Sequence, residues 1–185
     1  MRKLLITLLI TLLAGLVPAS PAWAAVKSSS PAGFDVVETA SVKAAPQRAY
    51  AALREVGHWW DGEHSFSHSA LNMRLELRSG GCWCETLPAG GGVQHMQVVF
   101  VDPGKTVILH GTLGPLIDQG LSGALTFNFA PDDKGTKITV EYVIGGYFSD
   151  AKMNWAAAVD GVLGAQVQRM ARYIDTGRPD LPATK

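Results

Sequence analysis

The stretch VDGVLGAQVQRMARYID, residues 159–175, decides the fold. Val159, Leu163, Val167, Met170 and Ile174 recur at helical spacing, so one apolar stripe runs down a helix expected from about Ala151 to about Asp175. Ahead of it stand six segments that read as strands, and ahead of those one strand and one helix. Strands in succession with helices kept to the ends specify an α+β sheet covered on one face. A long helix laid across a curved antiparallel sheet leaves a space between the two.

The strands are plainest nearest the helix. Ile138, Val140, Tyr142 and Ile144 alternate with polar or small residues, as do Leu125, Phe127 and Phe129. Pro131 to Gly135 separates these two runs. Asp102-Pro103-Gly104-Lys105 is a turn between Val93–Val101 and Thr106–Leu113. Gly114-Pro115 opens a loose connection to Gly123. Pro88 to Gly92 and Ser79-Gly80-Gly81 flank Cys82–Leu87, and Leu71, Met73, Leu75 and Leu77 alternate before them. The first strand is expected over Phe34–Lys43. Pro46 then opens a helix at its first position, Ala49, Tyr50, Leu53 and Val56 form its inner face, and Gly57 is expected to stop it.

The beginning of the chain reads as an address. Arg2 and Lys3 precede an apolar run from Leu4 to Val17, and Ala22-Trp23-Ala24 is an A-x-A cleavage site. The run is shorter than the ~20 residues of a membrane span. An uncleaved anchor is the competing reading, and the A-x-A favours cleavage. The expected organisation is a signal peptide at 1–24, a flexible leader at 25–33, one domain at 34–176 and a tail at 177–185. The expected location is outside the cytoplasm, in a periplasm.

Formal charge is balanced, with 16 basic and 16 acidic residues. Loss of Arg2 and Lys3 takes the net to about −2, and no basic stripe offers itself to nucleic acid. No cofactor motif, phosphate loop, G-x-S-x-G elbow or metal-binding H-E-x-x-H spacing is present. Oligomeric state is not legible.

Short hairpins set register, so facing residues can be estimated. Leu77 is expected opposite Trp83, Leu75 opposite Glu85, Trp83 opposite Met96, Glu85 opposite Gln94, Phe100 opposite Val107 and Val98 opposite Leu109. These pairs place Leu75, Leu77, Trp83, Met96, Val98, Phe100, Val107 and Leu109 on one apolar face. Glu85 lands there too, beside Gln94. A carboxylate on such a face is paired, hydrogen-bonded or protonated, and a raised pKa would suit a general acid or base. Asp160 admits two readings, toward the sheet or on a solvated flank.

The outer face collects Cys82, Cys84, His95 and His110, with Cys84 expected opposite His95 and Cys82 in a row with Gln97 and His110. Cys82 and Cys84 admit free thiols, a local disulfide, or a metal site shared with His95. The last reading suffers because Cys82 and His110 lie two strands, about 10 Å, apart. His58, Trp59, Trp60, Asp61, Glu63, His64 and His68 form the densest polar-aromatic cluster. It admits a core cap with solvated histidines, or an aromatic gate at a pocket mouth; no role separates out for His58, His64 or His68.

The order strand, helix, aromatic-rich turn, six strands and long helix resembles the START-like superfamily, also called SRPBCC. The stretches carrying it are VETASVKAAPQRAYAAL (37–53), HWWDGEHSFS (58–67), LELRSGGCWCETLP (75–88), the DPGK turn and VDGVLGAQVQRMARY (159–173). SGGCWCE (79–85) and GTLGPL (111–116) also resemble a secreted bacterial branch of it. The resemblance implies a helix-grip fold, a seven-stranded antiparallel sheet wrapped around the C-terminal helix, with a cavity for a hydrophobic or amphipathic small molecule. It carries no shared catalytic motif onto this chain.

The expectation is therefore a secreted ligand-binding protein. Trp59 and Trp60 stand at the mouth of the pocket, and Leu75, Leu77, Trp83, Met96, Val98, Phe100 and Leu109 form the sheet wall. Val159, Leu163 and Val167 form the helix wall, and Glu85, Gln94 and Asp160 meet a polar head. The alternatives are a cyclase or dehydratase using Glu85, and metal binding through Cys82, Cys84 and His95. No cofactor and no resident metal are expected.

Overall fold

The computed structural model describes residues 25–149 and 154–181; the expected signal peptide lies outside them. Eight antiparallel strands form one sheet: β1 (Ala25–Ser30), β2 (Gly33–Val42), β3 (Met73–Leu75), β4 (Cys82–Thr86), β5 (Gly92–Asp102), β6 (Thr106–Gly111), β7 (Gly120–Asp132) and β8 (Gly135–Tyr147). Their spatial order is β1-β2-β8-β7-β6-β5-β4-β3. Helix α1 (Pro46–Ala51) continues through a 3-10 turn at Ala52–Glu55 into α2 (Val56–Trp59), and α3 (Trp155–Thr176) closes the fold. This is the α+β helix-grip architecture.

Three details differ from expectation. The sheet has eight strands rather than seven, because the segment read as a flexible leader pairs with β2, Ala25 opposite Val37 and Ser30 opposite Gly33. Gly57 does not stop the first helix. It lies within α2, where a Cβ would meet the Ala70 carbonyl at 2.9 Å, so the glycine lets the chain after Ser69 pass close by. The alternating run 71–77 yields only three residues of β3, since Ala70–Asn72 form a 3-10 turn and leave Leu71 in solvent.

The core lies between the concave side of the sheet and α1–α3. Phe34, Val36, Leu109, Leu125, Phe127, Val140 and Tyr142 face it from the strands, and Leu163, Val167 and Met170 from α3. Asn154 caps α3, its Oδ1 accepting from the Ala157 N–H, and Gly177 closes the helix at φ 75°, a left-handed turn that favours glycine.

Candidate functional site

The loop after α2 carries the aromatic cluster, and three polar side chains hold it. The Asp61 N–H donates to Gln166 Oε1 at 2.8 Å, and Arg169 Nε donates to the Trp59 carbonyl at 3.0 Å. Both partners project from α3. From the sheet, the Glu85 carboxylate accepts the N–H groups of Phe66, at 3.1 Å, and of Ser67. The rings interlock as well: Trp60 stands edge-on to Trp59 and to Trp83, with centroids 5.8 and 5.2 Å apart.

Glu85 is only 1% exposed, and its third partner is His95, with Nε2 3.0 Å from Oε2. A bulge makes that pair. Trp83 lies opposite Met96 but Cys84 lies opposite Gln94, so β5 carries one extra residue there, and His95 and Met96 both point inward. Burial pushes the Glu85 carboxyl up, but the Ser67 hydroxyl and N–H, the Phe66 N–H and His95 outweigh it and hold it below the usual carboxylate range. Burial drives the His95 imidazole down, against the pull of Glu85. The raised pKa expected at Glu85 is thus reversed, because the carboxylate is saturated with donors.

Beside this clamp opens a cavity of about 440 Å³. Trp60 and Glu63–Phe66 line it from the loop, Leu113–Leu116 from the connection between β6 and β7, Tyr142 from β8, and Trp155, Ala158, Val159, Val162 and Leu163 from α3. Its wall is mostly carbon. The buried Tyr142 hydroxyl accepts the Leu113 N–H at 3.1 Å, and burial raises the phenol further above its usual range. Glu63 and His64 supply polarity at an exposed rim.

Of the residues anticipated for binding, Trp60, Val159 and Leu163 come together on this wall. Trp59, Leu75, Leu77, Trp83, Met96, Val98, Leu109 and Val167 are buried in the adjoining core rather than at the cavity surface. Two placements are corrected. Phe100 is 48% exposed, because a second irregularity at Val99 pairs Val101, not Phe100, with Val107. Gln94 is exposed on the outer face, since the bulge sets it opposite Cys84 and leaves Val93 opposite Glu85. Leu75, not Leu77, pairs with Trp83, and Met73 pairs with Glu85. Sequence reasoning missed Phe66, Leu116, Tyr142 and Gln166. Tyr142 was legible as an inward strand residue, whereas nothing in the loops marks Phe66 or Leu116.

The metal reading through Cys82, Cys84 and His95 does not hold. Cys82 and Cys84 are joined in a disulfide across one strand, and His95 points to the opposite side of the sheet. Among the described residues no group of three or more His, Cys, Asp or Glu is placed to hold a metal ion. His58 stacks on Tyr173, with centroids 6.2 Å apart, away from the cavity. His68 turns the loop with φ 55°. Asp160 does look toward the sheet, but it meets Glu38 of β2 and is not part of the cavity wall.

Residues 33–175 match the family described as "Polyketide cyclase / dehydrase and lipid transport". The chain belongs to that family. No curated protein matches this polyketide cyclase/dehydrase-type chain. Among solved structures it is similar to protein MLL2253 from Mesorhizobium loti, with 18% identity and TM-score 0.55, covering 80% of this chain and 99% of that one. It is also similar to SA2116 from Staphylococcus aureus, a protein of unknown function, with 14% identity, TM-score 0.56 and coverage of 78% and 95%. DynU16, described as a putative protein in the dynemicin biosynthetic locus, shares 18% identity and TM-score 0.54 over 78% of this chain and 48% of its own. These likenesses establish the fold. No helix among the described residues is long and apolar enough to cross a membrane.

Proposed function

We propose that this family member is a secreted, periplasmic protein that binds a hydrophobic or amphipathic small molecule in the cavity between α3, the aromatic loop and the Leu113–Leu116 turn. The observation that carries the reading is the cavity itself: about 440 Å³, walled by Trp60, Phe66, Leu116, Tyr142, Val159 and Leu163. That size and lining suit an organic ligand whose apolar body leaves water. Glu63 and His64 stand at the rim, where a polar head would stay wet. Export is supported by Arg2-Lys3, the apolar run and Ala22-Trp23-Ala24.

Native mass spectrometry of the chain purified from a bacterial periplasm tests the reading. The expected result is an added mass of a few hundred daltons, lost on denaturation, together with saturable binding of long-chain acyl or aromatic probes. Absence of both the added mass and any probe binding overturns it.

A further inference from the structure

Glu38 sits on β2 with its side chain turned in toward α3, and it is only 4% exposed. Across from it, α3 presents Asp160 and, one turn on, Gly164. A Cβ at Gly164 would lie 3.0 Å from Glu38 Oε1, so the glycine makes room for the carboxyl. Glu38 Oε1 and Asp160 Oδ1 are buried atoms that receive no donor from any other described residue, and the two side chains are close enough to share a hydrogen bond, which needs a proton on one of them. The buried Glu38 carboxyl thus faces the half-buried Asp160 carboxyl, an arrangement that is costly unless a proton or a cation joins them.

The described groups around the niche supply no cation. From β8 the residue opposite Glu38 is Val140. From α3, Gln168 donates to the Thr39 carbonyl, and no described lysine, arginine or histidine pairs with Glu38 or Asp160. Lys27 of β1 is committed to Asp35 and Glu141, which alternate to the other face of the sheet. Burial, then the charge of Asp160 and a hydrogen bond with its side chain, push the Glu38 carboxyl up to about 7.

The free edge of β2 is covered by β1, and there the register is informative. Ala25 lies opposite Val37, with the chain running toward Glu38 as it is followed back to its start. Adjacent strands lie about 4.8 Å apart and each residue advances about 3.4 Å, so the register sets the Ala25 nitrogen on the neighbouring strand beside position 38. Ala25 is also the first residue after the A-x-A site.

We infer that Glu38 and Asp160 form a socket for the chain's own N-terminal ammonium, which is created at Ala25 when the leader is removed. The inference rests on the cleavage reading above. Before cleavage the Ala25 nitrogen is a neutral amide and the carboxyls lack a counter-charge. After cleavage a cation arrives where β1, β2 and α3 meet, tying the edge strand to the helix that walls the cavity.

Intact-mass measurement first establishes whether the exported chain begins at Ala25; a different start removes the cleavage reading alone. The socket is then tested on a chain made to begin at Ala25 by a specific protease, beside one retaining Trp23-Ala24. The Ala25 amine is titrated by NMR. A value at least one unit above the ordinary ~8 of an α-amino group is expected, returning to ordinary in Glu38→Gln. Glu38→Gln should lower the melting temperature of the Ala25 chain and raise that of the extended chain, where it removes an uncompensated carboxyl. Asp160→Asn, on the more exposed helix side, serves if Glu38→Gln fails to fold. An ordinary amine pKa in the folded Ala25 chain, or a substitution effect of the same sign in both chains, overturns the socket.

Discussion

His95 Nε2 lies 3.0 Å from Glu85 Oε2, with both side chains almost wholly buried between the sheet and the aromatic loop. The pair exists because one extra residue in β5 turns His95 inward beside Met96. Its consequence is mechanical, since the same carboxylate holds Phe66 and Ser67, and Phe66 is part of the cavity wall.

Glu85→Gln keeps the shape of the side chain but sets an amide where a charged acceptor of several bonds stood. Hydrogen bonds to charged groups contribute about 1.5–3 kcal/mol each, and buried networks lose more than one bond when one member changes. The expected loss is about 2–4 kcal/mol in urea unfolding. Amide exchange at residues 61–69 should rise more than in the core of β7 and β8. Unchanged exchange in that loop would remove Glu85 as its anchor.

Acid should weaken the same clamp in two stages. The folded His95 pKa lies below its ordinary 6.5, so between those values the unfolded chain binds the extra proton and stability falls as pH drops below about 6.5. The folded Glu85 pKa lies below its ordinary 4.5, so a second loss begins as pH falls below about 4.5. Denaturant midpoints measured from pH 8 to pH 3 should decline through both windows in a Glu38→Gln background, which removes the carboxyl raised to about 7 whose protonation stabilises the fold over the upper window. His95→Gln should flatten the upper one.

Val162 faces the cavity from a half-buried position on α3. Val162→Trp puts an indole into space that a ligand would occupy, while Leu163, Val167 and Met170 keep the helix seated. Probe affinity should fall at least tenfold with the melting temperature changed by only a few degrees. Binding that survives with wild-type affinity would place the ligand elsewhere.

Two glycines of α3 should respond differently to alanine. Nothing lies within 4 Å of a Cβ at Gly161, so Gly161→Ala should stabilise by about 0.5–1 kcal/mol through helix propensity. At Gly164 the new methyl would press on the Glu38 carboxyl at 3.0–3.1 Å, so Gly164→Ala should show none of that gain. Thermal unfolding of the two variants side by side checks the contrast.

The sequence by itself determined the element order from β2 onward, most of the inward strand residues and the stripe of α3, because periods of 2 and 3.6 are local consequences of backbone geometry. Leu109, Leu125, Phe127, Val140, Leu163 and Val167 were legible on that ground, and Asp102–Lys105 named its turn. Register was less legible. A bulge shifts every later residue by one, so Gln94 and Phe100 moved outward while His95 moved inward, and no residue type announced either irregularity. The tertiary structure alone decided where the space lies. Trp83 and Met96 are apolar and inward as expected, yet the loop fills the volume over them, and the cavity opens instead beneath Phe66, Leu116 and Tyr142. Apolar character says which side chains leave water; only the packing of loops against helix and sheet says which of them meet protein and which line a void.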